Sequence, residues 1–154
     1  MSNIEENKKI VEKWFAGCWA ENGNLNVIDE LADDKLLFSY PMHGPKHGKK
    51  ETRAMLEELR ASFPDVKFWA IGSLIAEGDY VVGRWEGGGT HTGAPYKLQM
   101  GELPANTGRK MHFTGTSVIK IQNGKVVEDI GEEGAFAAMK QLGTIQEAKV
   151  PSKA

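Results

Sequence analysis

Residues 123–143, NGKVVEDIGEEGAFAAMKQLG, decide how this chain is read. Asn123-Gly124 favours a tight hairpin turn, because both positions tolerate positive φ. The turn needs a strand on each side. The run Met111–Ile121 supplies one and Lys125–Ile130 the other. Four carboxylates then crowd the end of the second strand: Glu128, Asp129, Glu132 and Glu133. Gly131 and Gly134 bracket the last pair, and Ala135–Leu142 reads as a terminal helix. Carboxylates packed at a strand–helix junction can acquire raised pKa values and share protons. A solvated acidic turn is the plainer reading of the same residues.

Upstream, the period changes. Residues 3–21 read as an amphipathic helix, with Ile4, Ile10, Val11, Trp14, Phe15 and Cys18 along one stripe. Ser2 or Asn3 would cap it, and Glu5 and Glu6 suit its first turn. Leu25–Leu31 suggests a second short helix capped by Asn24. Leu36–Tyr40 reads as a strand ended by Pro41, and Met42–Lys49 as a polar loop. Residues 49–63 form another helix, with Met55, Leu56, Leu59 and Phe63 on its apolar face; Pro64-Asp65 stops it. From there the pattern turns to strands: Val66–Ala76, Tyr80–His91, Lys97–Glu102, then the two strands of the hairpin. Helices and strands segregated in this way argue for an α+β fold rather than an alternating parallel one. A curved antiparallel sheet wrapped around the N-terminal helices would form a cone, a shape that holds a small ligand.

Composition narrows the class. The 154 residues fit one domain, with a core over about 3–143 and a polar tail over 144–154. The formal net charge is −2 and no basic run stands out, so no nucleic-acid surface is expected. No apolar run is as long as a membrane span, and the polar N-terminus does not read as a signal peptide. The single cysteine, Cys18, fits a reducing compartment, so a cytoplasmic protein is expected.

The segments HGPKHGKKETRAMLEELRASFPDVKF, SLIAEGDYVVGRWEGGGTHTG, NTGRKMHFTGTSVIKIQNGKVVED and KQLG, in that order, resemble the SnoaL-like polyketide cyclases. That family shares the fold of nuclear transport factor 2. The resemblance runs from about Trp14 to Gly143. It implies a cone-shaped α+β barrel, a homodimer or dimer of dimers, and a small hydrophobic molecule as partner. Characterised members close a ring in a polyketide ester by an intramolecular aldol reaction, with neither metal nor organic cofactor. An aspartate near the start of the terminal helix serves as acid and base.

This chain departs from that pattern. Counted back from Gln141-Leu142-Gly143, the aspartate position falls on Gly134, and the usual tryptophan four residues earlier falls on Ile130. Glycine cannot transfer a proton. Either a neighbouring carboxylate has taken the role, giving a cyclase-like lyase or isomerase, or the scaffold only binds a ligand. The segment Ala94–Asn106 is also longer than the family's usual connection, as an extra hairpin or a lid would be.

Strand parity sorts the candidates. Glu128, Ile130, Glu132 and Gly134 share one face of a regular strand; Asp129, Gly131 and Glu133 share the other. The Gly134 position makes Glu132 the better-placed substitute, with Glu133 and Asp129 behind it. A bulge at Gly131 would swap the faces. His91 reads as a proton shuttle at the pocket rim or as a histidine bonded to the turn that follows it. Met111, Phe113, Gly115, Ser117, Ile119 and Ile121 form an inner row, which turns His112 outward. On that row Ser117 could bond a ligand oxygen and Phe113 line a pocket. Tyr40, Phe38, Trp14, Trp69 and Trp85 supply aromatic surface shared between core and pocket. Among these the Tyr40 hydroxyl could orient a carbonyl. His43 and His47 have metal-ligand spacing, but the glycine and proline between them forbid a regular helix, so no metal site is expected.

Overall fold

The computed structural model describes residues 3–153. Helix α1 (Ile4–Trp19) begins at Asn3, whose side chain accepts the Glu6 amide at 3.1 Å. It buries Val11, Trp14 and Cys18 along the expected stripe. Helix α2 (Val27–Leu31) is shorter than the expected Leu25–Leu31. Asn24 bonds the Asn26 amide, so it closes the turn that leads into the helix. Strand β1 (Ala32–Tyr40) follows. The segment read as a loop over Met42–Lys49 contains a strand, β2 (Gly44–His47), paired antiparallel with β1. Helix α3 (Gly48–Ser62) buries Met55, Leu56 and Leu59.

Strands β3 (Lys67–Glu77) and β4 (Tyr80–Thr90) form a long hairpin. The single strand expected at Lys97–Glu102 is a small separate hairpin, β5 (Tyr96–Leu98) with β6 (Gly101–Leu103). Strands β7 (Lys110–Gln122) and β8 (Lys125–Glu133) then meet at Asn123-Gly124, where both residues take positive φ, 52° and 72°, as the dipeptide predicts. Helix α4 (Ala135–Leu142) ends the regular structure.

The main sheet runs β2-β1-β8-β7-β4-β3. Every neighbouring pair is antiparallel except β1 with β8, which is parallel. The sheet is therefore mostly, not wholly, antiparallel. Bulges bend it: β3 carries extra residues between Ile71 and Ile75, where Gly72 sits at φ 71°. Its inner face packs on α1 and α3 and carries the core. On β7 the expected inner row, Met111, Phe113, Gly115, Ser117, Ile119 and Ile121, is buried at every position, and the residues between them face outward.

A second bulge decides the chemistry. Lys120 pairs with Glu128 and Ile121 with Val126, so β8 holds one extra residue, Val127. Val126 faces inward before the bulge; after it the parity shifts, and Asp129 and Gly131 are buried while Ile130 and Glu132 are exposed. Two inner glycines give the aromatic rings room. A Cβ on Gly131 would lie 2.0 Å from Tyr40 Cε1, and one on Gly115 2.2 Å from Trp85 Cζ2.

Candidate active site

Asp129 is 1% exposed, and its side-chain partners among the described residues are the neutral donors Trp14 and Tyr40. Trp14 Nε1–H donates to its Oδ2 at 2.8 Å, and the Tyr40 hydroxyl donates to its Oδ1 at 2.6 Å. Tyr40 Oη lies 2.7 Å from Ser117 Oγ, and Trp85 Nε1–H donates to Ser117 Oγ at 2.9 Å. The indole N–H groups can only donate, and an ionised Asp129 can only accept, which sets the direction of the remaining bonds while Asp129 is charged. Ser117 accepts from Trp85 and passes its own proton to Tyr40. Tyr40 passes its proton to Asp129, which also accepts from Trp14. Four side chains thus point their donors, directly or in series, at one buried carboxylate. Burial pushes the Asp129 carboxyl up to about 6, while the Trp14 and Tyr40 donors hold it down. Burial, and then the nearby Asp129, push the Tyr40 phenol well above its usual range.

Glu133 stands two pleat repeats beyond Asp129 along the same inner face, with Gly131 between them. Its Oε1 accepts the Met42 amide at 2.6 Å, which ties the end of β8 to the end of β1. Burial pushes its carboxyl up to about 7, opposed by the Met42 N–H and assisted by neighbouring Glu132. Glu133 borders a narrow apolar cavity of about 20 Å3, room for about one water molecule. Trp19, Tyr40, Phe68, Trp85 and Phe113 form much of its wall, and Glu133 is the one carboxylate in its lining. Met42 and Met111, flexible side chains that repack readily, also line it. His43 faces the same cavity. Its Nδ1 lies 2.9 Å from the Tyr96 hydroxyl, and burial lowers its pKa to about 4. A wider chamber of about 470 Å3 lies between α1 and the sheet and shares Phe15 and Trp85 with the narrow one.

These placements correct several expectations. Glu132, favoured by the Gly134 argument, is exposed on the outer face, because the Val127 bulge fixes the parity and Gly134 has already left the strand. Gly134 precedes α4 at φ −72°, ψ 53°, where an added Cβ would lie 3.1 Å from Phe113 Cβ. His91 is fully buried and lines neither chamber. Its Nε2 lies 2.7 Å from the Ala94 carbonyl, which can only accept, so Nε2 carries the proton. Nδ1 accepts from Thr107. Both ring nitrogens are occupied in holding the segment before β5, which is the structural one of its two readings. Trp69 is 43% exposed on the outer face, its indole bonded to Glu86 and its ring 5.9 Å from His112. Phe38 and Trp14 are buried in the core and border neither chamber. Tyr40, Trp85 and Phe113 border the narrow cavity, and Ser117 the wide one.

The sequence offered His43 only as half of a metal-ligand spacing, not as a cavity residue. The proximity of His43 to Tyr96 depends on the β5–β6 hairpin folding back, where the Gln99 amide donates to the Met42 carbonyl at 3.1 Å. No local pattern announces that contact. His47, its partner in the metal spacing, is exposed on β2.

Asp129 and Glu133 thus form an inner-face carboxylate pair on one strand of a curved-sheet cone. The family model of the SnoaL-like polyketide cyclases matches residues 9–142, and the chain belongs to that family. No curated protein matches the sequence. Among solved structures, a protein from Jannaschia sp. CCS1 assigned as a SnoaL-like polyketide cyclase aligns with TM-score 0.77 at 19% identity, over 93% of this chain and 95% of that one. TsrD from Streptomyces laurentii aligns with TM-score 0.73 at 17% identity, over 94% and 100%. A protein of ketosteroid isomerase-like fold from Catenulispora acidiphila, in complex with trimethylamine, aligns with TM-score 0.67 at 18% identity, over 88% and 92%. The fold is thus the mixed α+β cone with a curved sheet that these structures share. No described helix is long and apolar enough to cross a membrane.

Proposed function

We propose that this chain is a small-molecule enzyme that moves protons on a hydrophobic carbonyl compound, with Glu133 as the general acid and base. The observation that carries the reading is Glu133 itself, a carboxylate at the edge of an aromatic cavity with its pKa raised to about 7; the cavity, closed down to about 20 Å3, has to open by repacking of Met42 and Met111 to admit a substrate. A base near working pH can take a proton from carbon and return it. Its Met42 hydrogen bond orients one oxygen and leaves the other for substrate. The enolate formed would be stabilised by donors in the same wall, of which the His43 imidazole is one. Aldol-type ring closure and isomerisation both begin with this step. Glu133 would then do from the strand what the family's aspartate does from the Gly134 position.

Deuterium exchange tests the reading. A hydrophobic β-keto ester such as ethyl benzoylacetate, incubated in D2O, should exchange its α-protons faster with the protein present. Glu133→Gln should remove about 10²–10⁴-fold of that rate, and Glu132→Gln should leave it within about twofold. Binding of the ester without protein-dependent exchange would favour the alternative, a container that binds without catalysis, which the glycine at position 134 suggests.

The outer sheet face supports an assembly proposal. Ile75, Val82, Val118 and Ile130 are successive cross-strand partners, an apolar row over four strands. Ile75 is 70% exposed, and Val118 and Ile130 are also open. Arg84 and Glu132 border the row on one side, Lys120 and Glu128 on the other. Each border carries both signs, so an identical copy meets no single-sign field. A second copy of this chain, packed sheet to sheet, is the occupant proposed.

A further inference from the structure

The wide chamber meets the buried network at Ser117. Ser117 is 4% exposed and borders the chamber with Val11, Phe15, Leu74 and Trp85. Its oxygen accepts from Trp85 and its proton goes to Tyr40, so one lone pair is left over. The chain of hydroxyls has a second consistent state. If Asp129 takes a proton on Oδ1, it donates to Tyr40, Tyr40 donates to Ser117, and Ser117 must donate outward. Both indoles keep their bonds unchanged in either state. The reversed state is complete only when an acceptor lies beyond Ser117, and the chamber is where one can lie.

We propose that the wide chamber binds a hydrophobic alcohol or phenol with its hydroxyl on Ser117 Oγ, and that Ser117 and Tyr40 relay the hydroxyl's proton to Asp129. The steps balance. The ligand O–H proton moves to Ser117 Oγ, the Ser117 proton moves to Tyr40 Oη, and the Tyr40 proton moves to Asp129 Oδ1. The ligand becomes an oxyanion and Asp129 a neutral acid, with no other bond made or broken. The two hops within the protein are between oxygens already 2.7 and 2.6 Å apart. Lys8 and Glu12 also border the chamber, one charge of each sign, and Lys8 is the cation available there to an anionic oxygen. Asp129, raised to about 6 by burial, is a strong enough base to share a proton with an acidic phenol. The inference stands apart from Glu133, which borders only the narrow cavity.

The test uses 4-nitrophenol, whose phenolate has its own visible absorption band, with nitrobenzene as the analogue lacking the hydroxyl. At a pH where the free probe is mostly neutral, the wild-type protein should bind it and raise the phenolate band. Affinity should exceed that for nitrobenzene by about tenfold or more, the worth of one charge-assisted hydrogen bond. Ser117→Ala should abolish the band and bring the two affinities within about twofold. Tyr40→Phe, which interrupts the relay at a different residue, should also abolish the band. Glu133→Gln should leave it unchanged. A phenolate band that survives both Ser117→Ala and Tyr40→Phe would overturn the proposal, as would bound probe that stays neutral in the wild type. Loss of the band in Glu133→Gln would assign the base to the other cavity and overturn it equally. Loss of ester exchange in Glu133→Gln with the phenolate band intact separates the two readings.

Discussion

Trp14 Nε1–H donates to Asp129 Oδ2 at 2.8 Å, joining the first helix to the last strand. The bond spans 115 residues of sequence and closes the cone around a buried carboxylate held by neutral donors. Such a group is stable only while its donors remain, because an unpaired buried charge is heavily penalised.

Replacing Trp14 by Phe keeps an aromatic ring and deletes the donor. The expected loss is about 2–4 kcal/mol, combining one charge-assisted hydrogen bond with a small cavity. Urea unfolding measures it. The same loss in an Asp129→Ala background, where no side-chain acceptor remains for the indole, would show that the ring's packing, and not the bond, carries the effect.

Gly131 is the slot into which the Tyr40 ring fits. Gly131→Ala places a methyl 2.0 Å from that ring, so the ring must move and take its hydroxyl away from Asp129 and Ser117. Overpacking of this kind destabilises by about 1–3 kcal/mol, to which the broken network adds. Chemical denaturation should show the drop, and the indole N–H resonance of Trp85 should shift with it.

The pH dependence of stability has a definite sign. Burial raises Glu133 from 4.5 to about 7 and Asp129 from 3.8 to about 6. The folded protein therefore holds more protons than the unfolded chain between those values. The stabilising contribution of both groups is complete below the unfolded values and is lost as pH rises through 6 and 7. His43, lowered from 6.5 to about 4, acts in the opposite sense, and its neutral burial weakens the fold as pH drops through that window. Comparing wild type with Glu133→Gln isolates the first effect. The variant should gain up to ~3 kcal/mol on the wild type between acid and mildly basic pH. Parallel urea midpoints across that range would refute the raised carboxyl.

The apolar row on the outer sheet gives the assembly prediction. The wild type should sediment at twice the 16.9 kDa chain mass at micromolar concentration. Val118→Lys with Ile130→Lys should sediment as the single chain without loss of the folded spectrum. A wild type found only as the single chain would refute the proposed pairing.

How far the sequence could lead is clearest on β8. The turn at Asn123-Gly124, the strand after it and the alternation that separates Asp129 and Glu133 from Glu132 are all local, and all are present in the structure. The choice of which set faces inward was not local. It depends on the Val127 bulge, which is a property of the pairing with β7, and the sequence pointed instead to Gly131 as a bulge. Gly131 proves to be a ring slot, visible only once Tyr40 is placed across the parallel β1–β8 contact. The helices followed from their apolar stripes. Strand β2 did not, because Gly-Pro-Lys-His carries no alternating pattern and is held by its pairing with β1; the segment Ala94–Asn106, read as an extra hairpin or a lid, does contain the β5–β6 hairpin, where the single strand read over Lys97–Glu102 is split in two.

The account turns on Glu133 being the pocket carboxylate with the raised pKa. Carbon-13 NMR titration of the side-chain carboxyls tests this directly, with Glu133→Gln assigning the resonance. The account predicts a Glu133 midpoint near 7, well above its ordinary 4.5. A Glu133 midpoint in the ordinary carboxylate range would contradict it.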